Sequence, residues 1–320
     1  MISASGLWLA VPHAQAQPAP KVQRIGWLIP TEGTTPRDQH RLVTLHAALR
    51  ELGWVDGKNI AVEVRYAGVN PQRQRELAAE LKSLRVALII ANGTITIRAA
   101  RDGAPGVSIV MLNAGDPVGA GFAASLARPG GDLTGTSAAG EEIVAKQLEL
   151  LSQAAPKLKR VGVLMNSANP ANGFFVAAMS TRASQLDLQL DRLVVTLPDE
   201  LDAAIASAKG GAMVVLGDPM FGQNRLRIIE LAARWQVPAM YGDPQWVLRD
   251  GGLMSYLSAD DWHVRKVASY VDRILKGAKP ADLPVEQPTE FRLVINLLTA
   301  NALGLTIPQS LLLRADEVIR

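Results

Sequence analysis

Short apolar runs alternate with amphipathic stretches along this chain, and the alternation runs through twice. "VQRIGWLI" (22–29) reads as a buried strand, after which Leu42, Leu45, Leu49 and Leu52 recur at helical spacing and Gly53 supplies a stop signal. "NIAVEVRY" (59–66) alternates as a strand does, Leu77, Leu81 and Leu84 mark a second helix, and "VALIIA" (86–91) and "VSIVMLN" (107–113) are further strands. A Gly-rich connection, "RPGGDLTGTSAAG" (128–140), interrupts the pattern. It restarts with a helix over 141–155, a strand over 160–166, a helix over 170–187, a strand over 188–195 and a helix over 199–209. "AMVVLG" (212–217), a helix over 221–235 and "VPAMY" (237–241) complete it. Strands alternating with helices in this way pair in parallel, with helices on both faces of the sheet. The two runs are offset by about 130 residues, a period that fits two similar α/β lobes and not a solenoid.

At 320 residues there is room for two domains of about 150 residues each. Beyond the second run come "GGLMSY" (251–256), a helix with Val264, Val267, Val271 and Ile274 on one face, "KGAKPADLPVEQP" (276–288) and the strand "FRLVIN" (291–296). This is too little for a third domain. The pieces must return to the lobes already built, so the chain crosses between lobes several times and makes a multi-strand hinge. The expected division is 22–137 plus 257–282 for the first lobe and 138–256 plus 283–320 for the second. Residues 1–21 read as a leader, because "LWLAVPHAQAQPAP" places Ala14-Gln15-Ala16 after a short apolar stretch, as in an exported precursor.

Several chemistries are excluded. The net charge is +3 with scattered Lys and Arg, which argues against a nucleic-acid partner. The absence of cysteine removes disulfides, thiol catalysis and zinc–thiolate sites. His13, His40, His46 and His263 have no second ligand at metal spacing, and "GAGFAA" (119–124) lacks the third glycine of a dinucleotide loop. With no nucleophile motif and no P-loop, neither an enzyme nor a metal or cofactor is expected.

The polar residues that stand out follow strands. They are Thr31 and Glu32, Asn92 and Thr94, Asn113 and Asp116, then Asn166 and Asn169, Asp218, and Tyr241 and Asp243. In an open parallel sheet the carboxyl ends of the strands form the crevice where ligands bind. Phe221 and Trp246 lie near the same edge and read as core or as a ligand platform. Gly-Asp-Pro ends three of these segments, at Asp116, Asp218 and Asp243. Asp is a preferred helix cap and Pro a preferred first helical residue, so the tripeptide has a structural reading beside the functional one.

Longer stretches carry a resemblance. "LGWVDGKNIAVEVRYA" (52–67), "DPVGAGFAASLARPGGDLTGTS" (116–137), "KQLELLSQAAPKLKRVGVLMN" (146–166), "VPAMYGDPQWVLRDGGLMSY" (237–256) and the "KGAKPADLPVE" tail resemble the ABC-transporter substrate-binding proteins whose better-characterised relatives bind tryptophan and tyrosine. The resemblance implies a type I periplasmic-binding fold, two Rossmann-like lobes closing on a small solute. It also implies a periplasmic monomer that serves an inner-membrane ABC permease. The positions it places at the cleft are the loop 31–34 with Thr31, Glu32 and Thr34, the segment Asn92, Gly93 and Thr94, Asn113 to Asp116, Ser137, Asn166, Asp218 and Asp243. Relatives that bind aromatic amino acids commonly carry an Ala-Thr-Pro-Ala-like segment where this chain has Ala91-Asn92-Gly93-Thr94, and many are neutral where it has Glu32. The ligand class is therefore wider at this point: an amino acid, an aromatic compound or a related carboxylate. Two alternatives share these residues. A ligand-sensing regulator of the same fold needs a helix-turn-helix of about 50 residues ahead of the first lobe. An enzyme would use the cleft aspartates as acid and base.

Overall fold

A computed structural model describes residues 22–320 except positions 34, 139 and 158; the leader read over 1–21 lies outside the described residues. The first lobe runs β1 (Gln23–Ile29), α1 (Pro36–Glu51), β2 (Ile60–Tyr66), α2 (Pro71–Ser83), β3 (Leu88–Asn92), α3 (Gly93–Gly103), β4 (Ser108–Ala114) and β5 (Leu133–Ser137). These strands form one parallel sheet in the order β2-β1-β3-β4-β5. The second lobe runs α4 (Gly140–Ala154), β6 (Arg160–Asn166), α5 (Asn172–Gln185), β7 (Gln189–Val195), α6 (Leu201–Ser207), β8 (Ala212–Val215), α7 (Pro219–Gln223), α8 (Arg225–Arg234), β9 (Ala239–Tyr241), α9 (Pro244–Leu248) and β10 (Met254–Ser258). Helix α10 (Asp260–Leu275) then packs back on α1 and β4 of the first lobe. The chain ends in the second lobe with β11 (Phe291–Asn296), α11 (Leu297–Ala302), α12 (Gln309–Leu312) and β12 (Glu317–Ile319). The second sheet has the order β12-β11-β10-β9-β8-β6-β7, with β11 antiparallel to β10.

Both sheets are apolar on two faces, as the continuous hydrophobic runs require. In the first lobe Ile25, Trp27, Ile90 and Val110 meet Leu45 and Leu49 of α1 and Val264, Val267 and Val271 of α10. On the opposite face Leu28, Ile89 and Met111 meet Leu77 and Leu81 of α2 and Ile97 of α3. In the second lobe Val163, Val214 and Met240 pack under α4 and α5, and Leu164, Met213 and Val215 under α6, α8 and α9. Each such Leu, Ile or Val side chain, fully buried, stabilises the fold by about 1.5–3 kcal/mol before conformational entropy is counted.

Local rules explain where the elements begin and where the sequence reading differs. The span 128–140 is not wholly a connection, since Leu133–Ser137 form the edge strand β5. Glycine disfavours strands, yet Gly135 is what allows this one to pair. At φ 134°, a Cβ there would lie 2.2 Å from the Met111 carbonyl oxygen of β4. The helix read over 221–235 is two helices meeting at Asn224, and the first starts at Pro219 because the Asp218 side chain accepts from the Met220 N–H.

The chain passes between lobes three times: after β5, between β10 and α10, and over 286–290, once Leu283 and Val285 have packed in the first-lobe cores. The first and third passages run side by side, Ser137 N–H donating to Glu286 O (2.9 Å) and Glu286 N–H to Gly135 O (3.0 Å). His263 of α10 ties the first to the second. Its Nε2 lies 2.8 Å from Ser258 Oγ and its Nδ1 3.1 Å from Thr136 Oγ1. Burial pushes the imidazole pKa down to about 4; Asp260 pulls it up, while Arg41 and Arg37 add to the depression. The unfolded chain holds this proton more readily, with a pKa near 6.5. The stabilising contribution is thus present above about pH 6.5 and is lost as pH falls through about 4. Thermal melts between pH 7.5 and 4 should show stability declining across that window, and His263→Gln should flatten the decline. An identical slope in the variant would remove His263 from the hinge's pH response.

Candidate functional site

A cavity of about 860 Å³ lies between the two lobes, lined from both sheets at the carboxyl ends of their strands. On the first-lobe side Thr31 and Glu32 follow β1, Asn92, Gly93 and Thr94 open α3, and Asn113 ends β4; all line the cavity. Asn92 is the N-cap residue of α3 but makes no side-chain cap bond, so the first N–H groups of that helix keep their partial positive charge beside the cavity. Thr94 Oγ1 accepts from the Gly115 N–H at 3.0 Å. Asn113 adopts φ 60°, a left-handed conformation that Asn tolerates better than most residues. Its N–H donates to Thr136 Oγ1 (3.0 Å), the hydroxyl that also meets His263, which links the cavity wall to the hinge.

On the second-lobe side Asp218, Phe221 and Asp243 line the cavity. Asp218 Oδ1 accepts from Asn166 Nδ2 (3.0 Å) and Met220 N–H (2.9 Å), and Oδ2 from Asn169 Nδ2 (3.0 Å). Burial raises its pKa, and these three bonds only partly oppose the rise.

The remaining sequence-derived positions sit elsewhere. Asp116 accepts from the Gly119 N–H (2.8 Å), closing its own turn, and is not part of the cavity wall. Ser137 is buried in the first interlobe passage. Asn166 stands behind Asp218 as its donor. Tyr241 is core, 1 % exposed, with its ring tilted against that of Trp246 at 5.3 Å between centroids. Thr34 lies outside the described residues. Of the three Gly-Asp-Pro aspartates, all close or cap a turn and two also face the cavity.

The charged heart of the cleft is a group that strand-end reasoning misses. Arg37, in the first turn of α1, places Nη1 2.5 Å from Asp243 Oδ2 of the opposite lobe and Nη2 3.0 Å from Asp260 Oδ1. Arg41, one turn further, grips both Asp260 oxygens at 2.6 Å. Burial alone would raise the Asp260 carboxyl, but Arg37 and Arg41 outweigh it and hold the group well below the usual carboxylate range. Gln223 Nε2 also reaches across, donating to Pro30 O at 3.2 Å. The available signal was two arginines, four apart, at the N-terminus of a helix, where the dipole disfavours cations.

The lobes also touch through Gly115. A Cβ built there would lie 2.9 Å from Ala171 Cβ and 3.0 Å from Phe175 Cζ, both of the second lobe. Gly115→Val should therefore wedge the lobes apart and enlarge the radius of gyration of the ligand-free protein in small-angle scattering. An unchanged radius would mean that the contact does not limit closure.

This architecture has known counterparts. The family model for ABC transporter substrate binding proteins matches residues 38–319. The chain belongs to that family. Proteins of this kind bind small-molecule solutes and work with ABC transporter permeases. A tyrosine-binding protein of Clostridioides difficile (strain R20291) is 26 % identical to this substrate-binding protein over 261 residues, covering 81 % of this chain and 74 % of the relative. A crystal structure from Streptococcus pneumoniae, an ABC domain in complex with L-Trp, superposes with a TM-score of 0.86 at 22 % identity, covering 93 % of this chain and all of the other. A ligand-free, open substrate-binding protein with adhesive properties from Clostridium difficile gives 0.68 at 24 % identity, covering 93 % and 99 %. No helix among the described residues is long and apolar enough to cross a membrane.

Proposed function

We propose that this family member is the periplasmic solute-binding component of an ABC importer, capturing a small organic solute of amino-acid size between its lobes. The observation that carries the reading is the cavity itself, about 860 Å³, walled by both lobes and bridged by the Arg37–Asp243 pair. That volume lies within the usual range for small-molecule sites. A solute touching both walls stabilises the closed arrangement selectively, which is the thermodynamic requirement for ligand-driven closure. The lobes are taken as 22–137 with 257–282 and 138–256 with 283–320, swinging about the three passages, in a protein that acts as a monomer.

Binding without turnover is the reading favoured over the use of the cleft aspartates as acid and base. Asp243 and Asp260 are held as ion pairs by arginine, and Asp218 is fixed by amides and its helix cap. The relatives that bind tyrosine and L-Trp make the aromatic amino acids the first compounds to try. Calorimetric titration with L-tyrosine, L-tryptophan and the other amino acids is expected to show one-to-one saturable binding, with contraction in small-angle scattering. Turnover of a bound compound, or binding that leaves the shape unchanged, would count against it.

A further inference from the structure

Resting on the solute-capture reading, we propose that the solute must present a protonated amine to Asp218, attached to an apolar or aromatic body, and that a carboxylate on the solute is dispensable. The charges of the cleft carry this. Asp243 and Asp260 face Arg37, Asp260 also faces Arg41, and Asp250 faces Arg225 at 2.9 Å. Asp38 is engaged by the hydroxyls of Thr31 and Thr35 as part of the α1 cap. Asp218 differs. Its three donors are two side-chain amides and one backbone N–H, all neutral, and among the described residues no Arg, Lys or His pairs with it. A carboxylate has about four acceptor sites, so one remains open on a half-buried group that lines the cavity.

An anion desolvated without a counter-ion is unfavourable, and an ammonium arriving with the solute removes that penalty. Burial raises the Asp218 pKa and its neutral donors oppose the rise only in part, so the charged form gains from a cation brought beside it. The opposite holds for an incoming carboxylate. Arg37, Arg41 and Arg225 are already paired, Arg249 and Arg292 line the cavity but are exposed to solvent, and Glu32, exposed and without an ion-pair partner among the described residues, adds further negative charge. What is left for an anion is the partial charge at the start of α3 and two solvent-screened arginines, so a carboxylate there adds to affinity without being required. Phe221, one turn beyond Asp218 and fully buried, lines the wall with Phe175 and Trp246, which suits an apolar body attached to the amine.

The test is a matched series titrated by calorimetry: L-tyrosine, tyramine and 3-(4-hydroxyphenyl)propionate, with L-tryptophan, tryptamine and indole-3-propionate beside them. In the series that binds, the amino acid and the amine should have dissociation constants within tenfold of each other, and the acid lacking the amine should be at least a hundredfold weaker. Asp218→Asn, which keeps both bonds to Oδ1, should weaken the amines at least tenfold while still melting cooperatively. A deaminated acid that binds as tightly as its amino acid overturns the inference, as does an Asp218→Asn variant with unchanged affinity; both leave solute capture standing. An amino acid that binds while its amine does not overturns the statement about the carboxylate. If nothing in either series binds, the aromatic-amine assignment falls, and a wider amino-acid screen decides separately whether solute capture falls with it.

Discussion

Asp260→Ala is expected to destabilise the protein by about 3 kcal/mol, within the range found when one partner of a buried ion pair is removed. Among the described residues Asp260 is the sole carboxylate paired with Arg41, whose side chain is only 6 % exposed, and it shares Arg37 with Asp243. Removing it leaves a buried guanidinium without a counter-ion and loosens the N-terminus of α10, the element next to the hinge. A clear drop in melting temperature at pH 7 checks this. The pH dependence has a definite sign. The folded-state pKa of Asp260 is depressed, so its contribution is present above the ordinary value near 3.9 and is lost as pH falls below it, through the lowered folded pKa. Wild type should lose stability below about pH 4. Asp260→Asn should show less of that loss, starting from a lower melting temperature. A variant as stable as wild type at pH 7 would show that the Arg37–Asp260–Arg41 cluster is not structural.

Arg37→Ala is expected to act on closure more than on folding. Its guanidinium bridges Asp260 of one lobe to Asp243 of the other, and a charge-assisted hydrogen bond contributes about 1.5–3 kcal/mol. The Arg37 side chain is 36 % exposed, so solvent screening reduces this to about 1–2 kcal/mol. That corresponds to about a tenfold loss of the closed population, hence of ligand affinity. Scattering should report a larger radius of gyration without ligand, with the melting temperature changed far less than in Asp260→Ala. Arg37→Lys should rescue little, because a single ammonium does not reproduce a planar fork that engages two carboxylates at once. Asp243 serves the same pair, so its loss is expected to weaken binding through closure even though it borders the cavity.

The lobes were legible because parallel strands buried on both faces leave continuous apolar runs, and each run here is followed by a cap or turn residue. β5 was not, because its pairing depends on Gly135, whose missing side chain reads locally as loop and works only against Met111. The site divides in the same way. Thr31, Asn92, Asn113, Asp218 and Asp243 were found because strand ends in such a sheet converge, which is a property of topology. Asp116 obeys the same local rule yet closes its own turn. Nothing in Gly-Asp-Pro distinguishes the capping role from the cleft-facing one. The Arg37–Asp243 and Arg37–Asp260 pairs join residues more than two hundred positions apart, and no local pattern announces which charges will meet.

The interlobe cavity as the place of capture is tested most directly by a crystal structure grown with whichever compound of the tyrosine and tryptophan series binds most tightly. Ligand density inside the cavity, contacting Asp218 on one side and the start of α3 or Asn113 on the other, is the expected result. Density on an outer face, or touching one lobe alone with the lobes apart, would contradict it.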